Sequence, residues 1–325
     1  MLKLETNYLG LTLKSPLIVS SSGLTNSVEK IVKYEALGAG AVVLKSLFEE
    51  QINFESGIYV EEGLSPEAHD YITAYSQSNA IEEYLRLIEN AKKAVKIPVI
   101  ASINCRSVSK WISFAKDIQD AGADALELNV FFVASDKEQT SEKYENLYND
   151  LIVKVKQVTN LPLAVKLGYH FTNLPRIVNS LYVRGAKGVV LFNRFYEPDI
   201  DIENLKITSS GVFSSPADIR QSLRWVGIIS DKVEKIDVAA STGIHSGEAV
   251  IKQILAGAKA VQICSVLYKN GDEQLRVILD ELENWMNRKG YKSLEAFRGK
   301  LNCSSIPDPS LYERSQFMKY FSNFH

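Results

Sequence analysis

The segment LAVKLGYHFTNLPRIVNSLYVRGAKGVVLFN, residues 163–193, decides the fold that the sequence predicts. It begins with the apolar run LAVKLG (163–168) and ends with a second run, GVVLFN (188–193). Apolar runs of this length without alternation are typical of strands covered on both faces, as in parallel sheets. Between them, LPRIVNSLYVRG has apolar residues at helical spacing and ends in glycine. The segment therefore predicts a strand–helix–strand unit.

Similar apolar runs occur along the whole chain, and an amphipathic segment follows each of them. The runs are PLIVSSSG (16–23), AVVLKS (41–46), PVIASIN (98–104), ALELN (125–129), LAVKLG, GVVLFN, IDVAAST (236–242) and AVQICS (260–265). Eight such units in 325 residues predict an α/β protein, a (β/α)₈ TIM barrel that fills residues 1–325 as one domain. The alternative is an open doubly wound sheet. The unit count and the lack of a G-x-G-x-x-G turn after the first strand argue against it.

Three segments lie outside this repeating pattern. LETNYLGLTLKSP, near the N-terminus, predicts a small hairpin that covers the bottom of the barrel. Residues 47–78 and 194–214 form long connections after the second and sixth predicted barrel strands. Long connections in compact domains are often functional, and those that follow barrel strands lie on the catalytic face.

Composition and charge exclude several classes of function. The chain is 46% hydrophobic and 23% charged, with a formal net charge of -2, which argues against a nucleic-acid-binding surface but allows a local phosphate pocket. Cys105, Cys264 and Cys303 lack metal-ligand spacing and predict reduced thiols and no metal site. No signal peptide or membrane-length apolar stretch is evident, so a cytoplasmic protein without membrane contact is expected.

Polar residues recur where the predicted barrel strands end, which is where barrels place their chemistry. They are Ser22, Gly23, Lys45, Ser46, Asn104, Asn129, Lys166, Asn193, Ser241, Thr242, Gly243, Cys264 and Ser265. Contact with water explains most of them singly. It explains Lys45 and Lys166 less well, because each lies within or beside an apolar run and a buried ammonium needs an anion or several acceptors. We therefore expect both lysines to face a ligand.

The last two units carry a different signal. AASTGIHSGEAV and VQICSVLYKNG each end a strand with small residues and then start a helix. Small residues let backbone N–H groups approach an anion, although they also serve tight turns. Phosphate binding after barrel strands seven and eight is common. A phosphate clamp combined with lysines and asparagines indicates a flat ligand with a phosphate tail, and flavin mononucleotide (FMN) fits.

The motifs SPLIVSSSG, GAGAVVLKS, ADALELN, LPLAVKLGY, VVLFN, STGIHSGEAVIKQILAGAKAVQICSVLYKNG and GYKSLEAFRGKL together resemble one family over nearly the whole chain. That family is the dihydroorotate dehydrogenases, most closely their soluble, FMN-dependent branch. The resemblance implies oxidation of dihydroorotate to orotate in pyrimidine biosynthesis, with hydride transfer to flavin N5. It also implies a homodimer, and it suggests fumarate as the electron acceptor.

The resemblance assigns roles to individual positions. Ser22 and Gly23 would face the flavin, and Lys45 and Ser46 would contact the flavin and the substrate side. Lys166, at the N1 and O2 edge of the flavin, would stabilise the reduced ring in catalysis, and Lys45 would be a second catalytic lysine. Asn129 and Asn193 would lie between cofactor and substrate. Gly211 would let the backbone approach the cofactor, and Thr242, Gly243, Cys264 and Ser265 would hold the phosphate.

The sequence departs from the family at the substrate side. The family has a loop of the form L-N-x-S-C-P-N after the fourth strand, whose cysteine or serine removes the substrate proton and whose last asparagine grips the pyrimidine. This chain reads LNVFFVA, which puts Phe132 at the base position and Ala134 at the gripping position. ITAYSQSNAIEEYL replaces a family substrate segment of the form N-x-x-G-x-N, and Arg194 follows Asn193 where a small hydroxyl residue is usual.

These departures leave three hypotheses open. The first is oxidation of dihydroorotate with a substitute base, Ser135 or Cys105. Both residues also have structural explanations, because Ser135 could be an ordinary loop hydroxyl and Cys105 a small buried residue. The second is an FMN oxidoreductase with another substrate, in which Phe131 and Phe132 line an apolar pocket. Arg194 would then bind a carboxylate or phosphate, or it is simply a solvated loop charge. The third is a flavin-binding protein without catalysis.

Overall fold

The computed structural model describes residues 2–48, 66–104, 111–130, 132–195 and 197–314, and its centre is a closed barrel of parallel strands. The barrel strands are β3 (Leu17–Val19), β4 (Ala41–Val43), β6 (Val99–Asn104), β7 (Ala125–Asn129), β8 (Leu163–Leu167), β9 (Gly188–Leu191), β12 (Asp237–Ala240) and β13 (Ala260–Ile263). Neighbours pair in chain order, and β13 pairs with β3 to close the ring. The short strand β5 (Leu47–Phe48) adds to the end of β6. The predicted (β/α)₈ barrel is confirmed.

Helices follow the barrel strands, and a further short helix lies beyond the last of them. They are α1 (Val28–Leu37), α2 (Pro66–Ala94), α3 (Trp111–Asp120), α4 (Ser141–Val158), α5 (Leu174–Val183), α6 (Ile219–Lys232), α7 (Gly247–Ala256), α8 (Ser265–Asn270), α9 (Gln274–Lys289) and α10 (Ser310–Glu313). Local signals set their ends. The Thr140 hydroxyl caps α4 by accepting from the Lys143 N–H, and Gly38 ends α1 in the left-handed conformation.

The interior of the barrel changes from apolar to polar along each strand. Successive inward residues are two positions apart, so β7 presents Ala125, Glu127 and Asn129 from bottom to top. In β8, Ala164 belongs to the lower apolar cluster and Lys166 lies one layer above it. The apolar layers therefore fill the lower half of the barrel, and the polar layers form the floor of its upper mouth.

The N-terminal hairpin closes the bottom, as predicted. It pairs β1 (Thr6–Tyr8) with β2 (Leu11–Leu13), and Tyr8, Leu9 and Leu13 pack into the lower interior cluster. The Leu9 N–H donates to the Asp237 carboxylate at 2.7 Å, at the start of β12. Side chains therefore fill the lower end of the described barrel.

Both long connections contain regular structure that the sequence pattern does not predict. Helix α2 begins at Pro66, although the predicted connection extends to residue 78. Proline fits the first helical turn because that turn needs no N–H donor from it. In the second connection, β10 (Pro198–Asp201) and β11 (Lys206–Ser209) form an exposed antiparallel hairpin. Within the described parts of the chain, no helix is both long enough and apolar enough to cross a membrane.

Candidate active site at the barrel mouth

A cavity of about 500 Å³ opens at the carboxyl ends of the barrel strands. Its floor and walls include four of the predicted residues, Ser22, Lys166, Asn193 and Arg194. Its rim includes the four residues predicted to hold a phosphate, Thr242, Gly243, Cys264 and Ser265. The volume lies within the range of roughly 300–1,000 Å³ that is typical of small-molecule sites. The mouth of the barrel is therefore open and lined by predicted residues from both ends of the chain.

Lys166 lies at the floor of this cavity and is only 7% exposed. Its ammonium donates to the Ser20 hydroxyl and to the Gln262 side-chain carbonyl, both at 3.0 Å. The nearest Glu127 carboxylate oxygen is 3.7 Å away, which is too long for a hydrogen bond but close enough for an ion pair. Two of the three ammonium protons are thus used within the protein, and the third has no hydrogen-bond acceptor among the described residues.

The two predicted asparagines meet directly at the mouth. The Asn193 side chain donates to the Asn129 carbonyl, which joins the ends of β9 and β7. The backbone N–H of Asn193 also donates to the Leu167 carbonyl at 2.8 Å, so β8 fixes the same residue. This arrangement places two amide side chains beside the lysine floor.

Lys45 and Ser46 lie outside the lining of this cavity. The Ser46 hydroxyl is buried and bonds to the hydroxyls of Ser21 at 2.9 Å and Ser102 at 2.7 Å. Lys45 is half-buried, and no hydrogen bond or ion pair joins its ammonium to another described residue. Neither residue lines the cavity, so their predicted contact with a ligand stays a prediction.

The rim at Thr242 and Gly243 is a tight turn with left-handed backbone at both residues. Their φ angles are 73° and 78°, and the Thr242 hydroxyl donates to the Phe192 carbonyl at 3.0 Å. A Cβ on residue 243 would lie 2.1 Å from the backbone nitrogen of Ile219, the first residue of α6. Glycine is therefore required here both by conformation and by the close approach of α6.

A second part of the rim is built around Ser214, which is buried. Its N–H donates to the Ser265 hydroxyl at 3.0 Å, and its own hydroxyl lies 3.1 Å from His245 Nε2. The Lys269 ammonium donates to its carbonyl at 2.9 Å. Burial lowers the pKa of His245, and the Lys269 charge lowers it further, so the imidazole is held neutral. These contacts tie the connection after β9 to the part of the rim formed by Ser265 and by Lys269 of α8.

Cys264 lies in the cavity wall, close enough to Lys166 to feel its charge, and Gly23 lies just outside the lining. Burial raises the pKa of the Cys264 thiol, against smaller opposing contributions from a Ser22 hydrogen bond and the Lys166 charge. This thiol is therefore held protonated and is a poor nucleophile. Gly23 lies beneath the Tyr268 hydroxyl, which is 2.9 Å from the position that a Cβ would take. No cluster of three or more metal-ligating side chains occurs among the residues that the structure describes.

Comparison with known proteins identifies the family. The sequence model of the dihydroorotate dehydrogenase family matches residues 3–286.

The chain belongs to the dihydroorotate dehydrogenase family.

Among its relatives in this family is a protein of Thermoplasma acidophilum, named dihydroorotate dehydrogenase B (NAD(+)), catalytic subunit. It is 28% identical over 313 residues, which cover 92% of this chain and 99% of the relative. Proteins with the same name in Pyrococcus abyssi (28% identical, 91% and 98% covered) and Methanosarcina acetivorans (29% identical, 90% and 94% covered) are also similar. The chain therefore matches dihydroorotate dehydrogenases along almost their full length.

A packed aromatic ring lies at the position that the resemblance assigns to the catalytic base. Phe132 packs against the core and meets Tyr148 of α4 edge-on, with ring centroids 5.6 Å apart. Ala134 and Ser135 are exposed, and none of the three residues lines the cavity. The other expectations for this region, a base at Cys105 and a pocket wall at Phe131, lie outside the described residues.

Arg194 is engaged by the protein itself. Its guanidinium donates to the Gly211 carbonyl at 2.8 Å and the Val212 carbonyl at 3.2 Å. It also pairs with Glu197 at 3.2 Å and Asp218 at 3.3 Å. Gly211 is exposed, with no protein atom within 4 Å of the position of a Cβ, so its predicted approach to the cofactor stays a prediction. Arg194 thus closes the base of the β10–β11 connection, and any ligand must compete with four protein acceptors.

Sequence reasoning about the family misses the residues that support Lys166. Ser20, Glu127 and Gln262 are each no more than 4% exposed and surround its ammonium. The sequence does contain a signal for these residues. Side chains alternate between the two faces of a strand, so the period of two along SPLIVS, ALELN and AVQIC directs all three side chains into the barrel. The same reasoning misses Phe213 and Tyr268, whose stacked rings, 5.1 Å apart, form part of the cavity wall.

Proposed function

We propose that this chain is an FMN-dependent oxidoreductase that binds its flavin in the cavity at the barrel mouth. The observation that carries the proposal is the Lys166 ammonium, which lies at the cavity floor with one N–H that no described residue accepts. A flavin bound there would supply the redox chemistry, by accepting a hydride from the substrate at N5.

The residues of the cavity fit such a cofactor. Lys166 would donate to the pyrimidine edge and stabilise the negative charge that develops on reduction. Asn193, held by Asn129 and by the end of β8, would orient a planar group beside it. At the other end, the Thr242–Gly243 turn exposes backbone without bulky side chains, which suits a phosphate. The two ends lie within one cavity of about 500 Å³.

The reaction that we propose is the oxidation of dihydroorotate to orotate in pyrimidine biosynthesis, supported by the names of the relatives. Ser135 would have to move to act as a base, because its side chain is exposed outside the cavity. Loss of a positioned base slows a reaction about 10²–10⁴-fold. The alternative is a flavoprotein with another substrate or without catalysis, and the packing of Phe132 against Tyr148 favours it.

The electron acceptor and the assembly are part of the same proposal. The resemblance suggests fumarate, whereas the names of the relatives above give NAD(+), so both acceptors need to be assayed. A cytoplasmic homodimer remains the expectation from the sequence.

The test is purification of the protein and measurement of its visible absorbance. A flavin spectrum that bleaches when dihydroorotate is added without oxygen supports the proposed reaction. A flavin that only another donor reduces supports the alternative substrate, and a protein that binds no flavin contradicts the proposal. Lys166→Ala should weaken flavin retention or slow flavin reduction. Lys252→Ala, which removes an exposed lysine of α7 paired with Glu248, should change neither.

A further inference from the structure

A buried acid lies directly below the lysine floor of the cavity. Glu127 points into the barrel from β7 and is 1% exposed, as is Gln262 from β13. Carboxylates are almost never buried so deeply without a partner, because removal of their hydration is costly. The only described cation within ion-pair distance of Glu127 is Lys166, at 3.7 Å.

Gln262 links this carboxylate to Lys166 in one orientation only. Its side-chain NH₂ donates to Glu127 Oε2 at 2.6 Å, and its carbonyl accepts from both Lys166 Nζ and Ser20 Oγ at 3.0 Å. An ionised carboxylate can only accept, so it fixes the NH₂ group on its own side. The Gln262 carbonyl must then face Lys166. A flipped amide would present donors to an ammonium that also has only donors.

The second carboxylate oxygen completes the arrangement. Glu127 Oε1 is buried and has no hydrogen-bond partner among the described residues, and it is the oxygen nearest to the Lys166 ammonium. Two tyrosine hydroxyls also feel this charge, that of Tyr8 below and that of Tyr84, which bonds to the Ser102 backbone. Burial raises the pKa of both tyrosines and the Glu127 charge raises each further, so both phenols stay neutral. The negative charge of Glu127 is therefore directed upward, toward Lys166.

We propose that Glu127 is a positioning residue that acts through Gln262 to hold the Lys166 ammonium at the cavity floor, with its remaining N–H directed at the ligand. This inference rests on the proposed function, in which that ligand is a flavin. Glu127 itself lies behind Lys166 and does not line the cavity.

The first test needs no flavin. In protein labelled with ¹⁵N-lysine, a held and buried Lys166 ammonium should give a slowly exchanging resonance, assigned by its loss in Lys166→Met. Glu127→Gln should abolish that resonance. Asp237→Asn, the same change of acid to amide at the bottom of the barrel, should leave it in place. A resonance that persists in Glu127→Gln overturns the proposal.

The second test measures the dissociation constant of FMN and the reduction potential of the bound flavin. Glu127→Gln should raise the dissociation constant roughly tenfold, the contribution of one hydrogen bond to a charged group, and should lower the potential. It should have no further effect in a Lys166→Met background. An additional loss in the double variant overturns the proposal, because Glu127 would then act independently of Lys166.

The two tests separate this inference from the proposed function. If Lys166→Met leaves FMN binding and potential unchanged while Glu127→Gln removes the resonance, the flavin assignment fails and the positioning by Glu127 stands. If Glu127→Gln does not fold, Gln262→Met breaks the same link with both charges in place and should give the same losses. Wild-type values for that variant would overturn the proposal.

Discussion

Replacement of Gly243 by alanine should destabilise the protein through a collision between two backbone segments. The residue has φ = 78°, and a Cβ there would lie 2.1 Å from Ile219 N and 2.6 Å from Asp218 C. The left-handed conformation costs a non-glycine residue roughly 1–2 kcal/mol. Crowding of a packed site costs roughly 1–3 kcal/mol more, and here the atoms that must move belong to the start of a helix. The expected loss is therefore about 2–5 kcal/mol.

Gly290 provides a matched control. It ends α9 in the same conformation, with φ = 73°, and no atom lies within 4 Å of the position of its Cβ. Gly290→Ala should therefore lose only the conformational part, about 1–2 kcal/mol. The difference between the two variants isolates the collision at the mouth of the barrel.

The assay is urea unfolding followed by far-UV circular dichroism, with flavin content measured on the same preparations. Gly243→Ala should unfold at lower urea than Gly290→Ala, and it should retain less flavin if the turn shapes the cofactor rim. Equal free energies of unfolding for the two variants would refute the reasoning, because they would mean that α6 can move away from the turn at no cost.

Two further predictions concern the connection after β9. Arg194→Ala should lower the free energy of unfolding by about 1–3 kcal/mol, since its partners are partly exposed, and should speed hydrogen exchange in residues 197–212. Arg184→Ala, which loses only contacts to Ser180, should not speed this exchange. Unchanged exchange in Arg194→Ala would show that the arginine does not hold the connection. His245 in the folded protein has a pKa below its ordinary value of about 6.5. As the pH falls, the unfolded chain therefore binds a proton at this histidine before the folded chain does. The free energy of unfolding should consequently fall as the pH drops below about 6.5 toward the folded-state pKa. As the pH drops from 8 to 5, the melting temperature of His245→Gln should fall less steeply than that of the wild-type protein. Identical profiles would contradict the assignment of a lowered pKa to His245.

The sequence predicts the barrel well because its strands are short apolar runs with polar ends. Lys166 is a clear example, since a lysine inside LAVKLG has few structural explanations and does lie at the cavity floor. Thr242 and Gly243 were predicted from their size, and the structure adds a second reason for the glycine in the approach of α6.

The rest of the site depends on contacts between residues far apart in the chain. Glu127 and Gln262 are 135 positions apart, and only closure of the barrel brings them together. From the sequence alone, Arg194 could be a solvated loop charge, because nothing shows that the fold brings Val212 and Asp218 next to it. The hairpin β10–β11 was missed because both of its strands are exposed and so lack the apolar signal of the barrel strands.

The aromatic contact at Phe132 limits what can replace this residue. Its ring meets Tyr148, which in turn meets Phe171 edge-on, with centroids 5.4 Å apart. Because Phe132 takes part in the packing between barrel and helix, a small hydroxyl or thiol side chain placed there would leave a void beneath α4. A variant engineered to carry such a side chain would therefore need compensating substitutions around Tyr148.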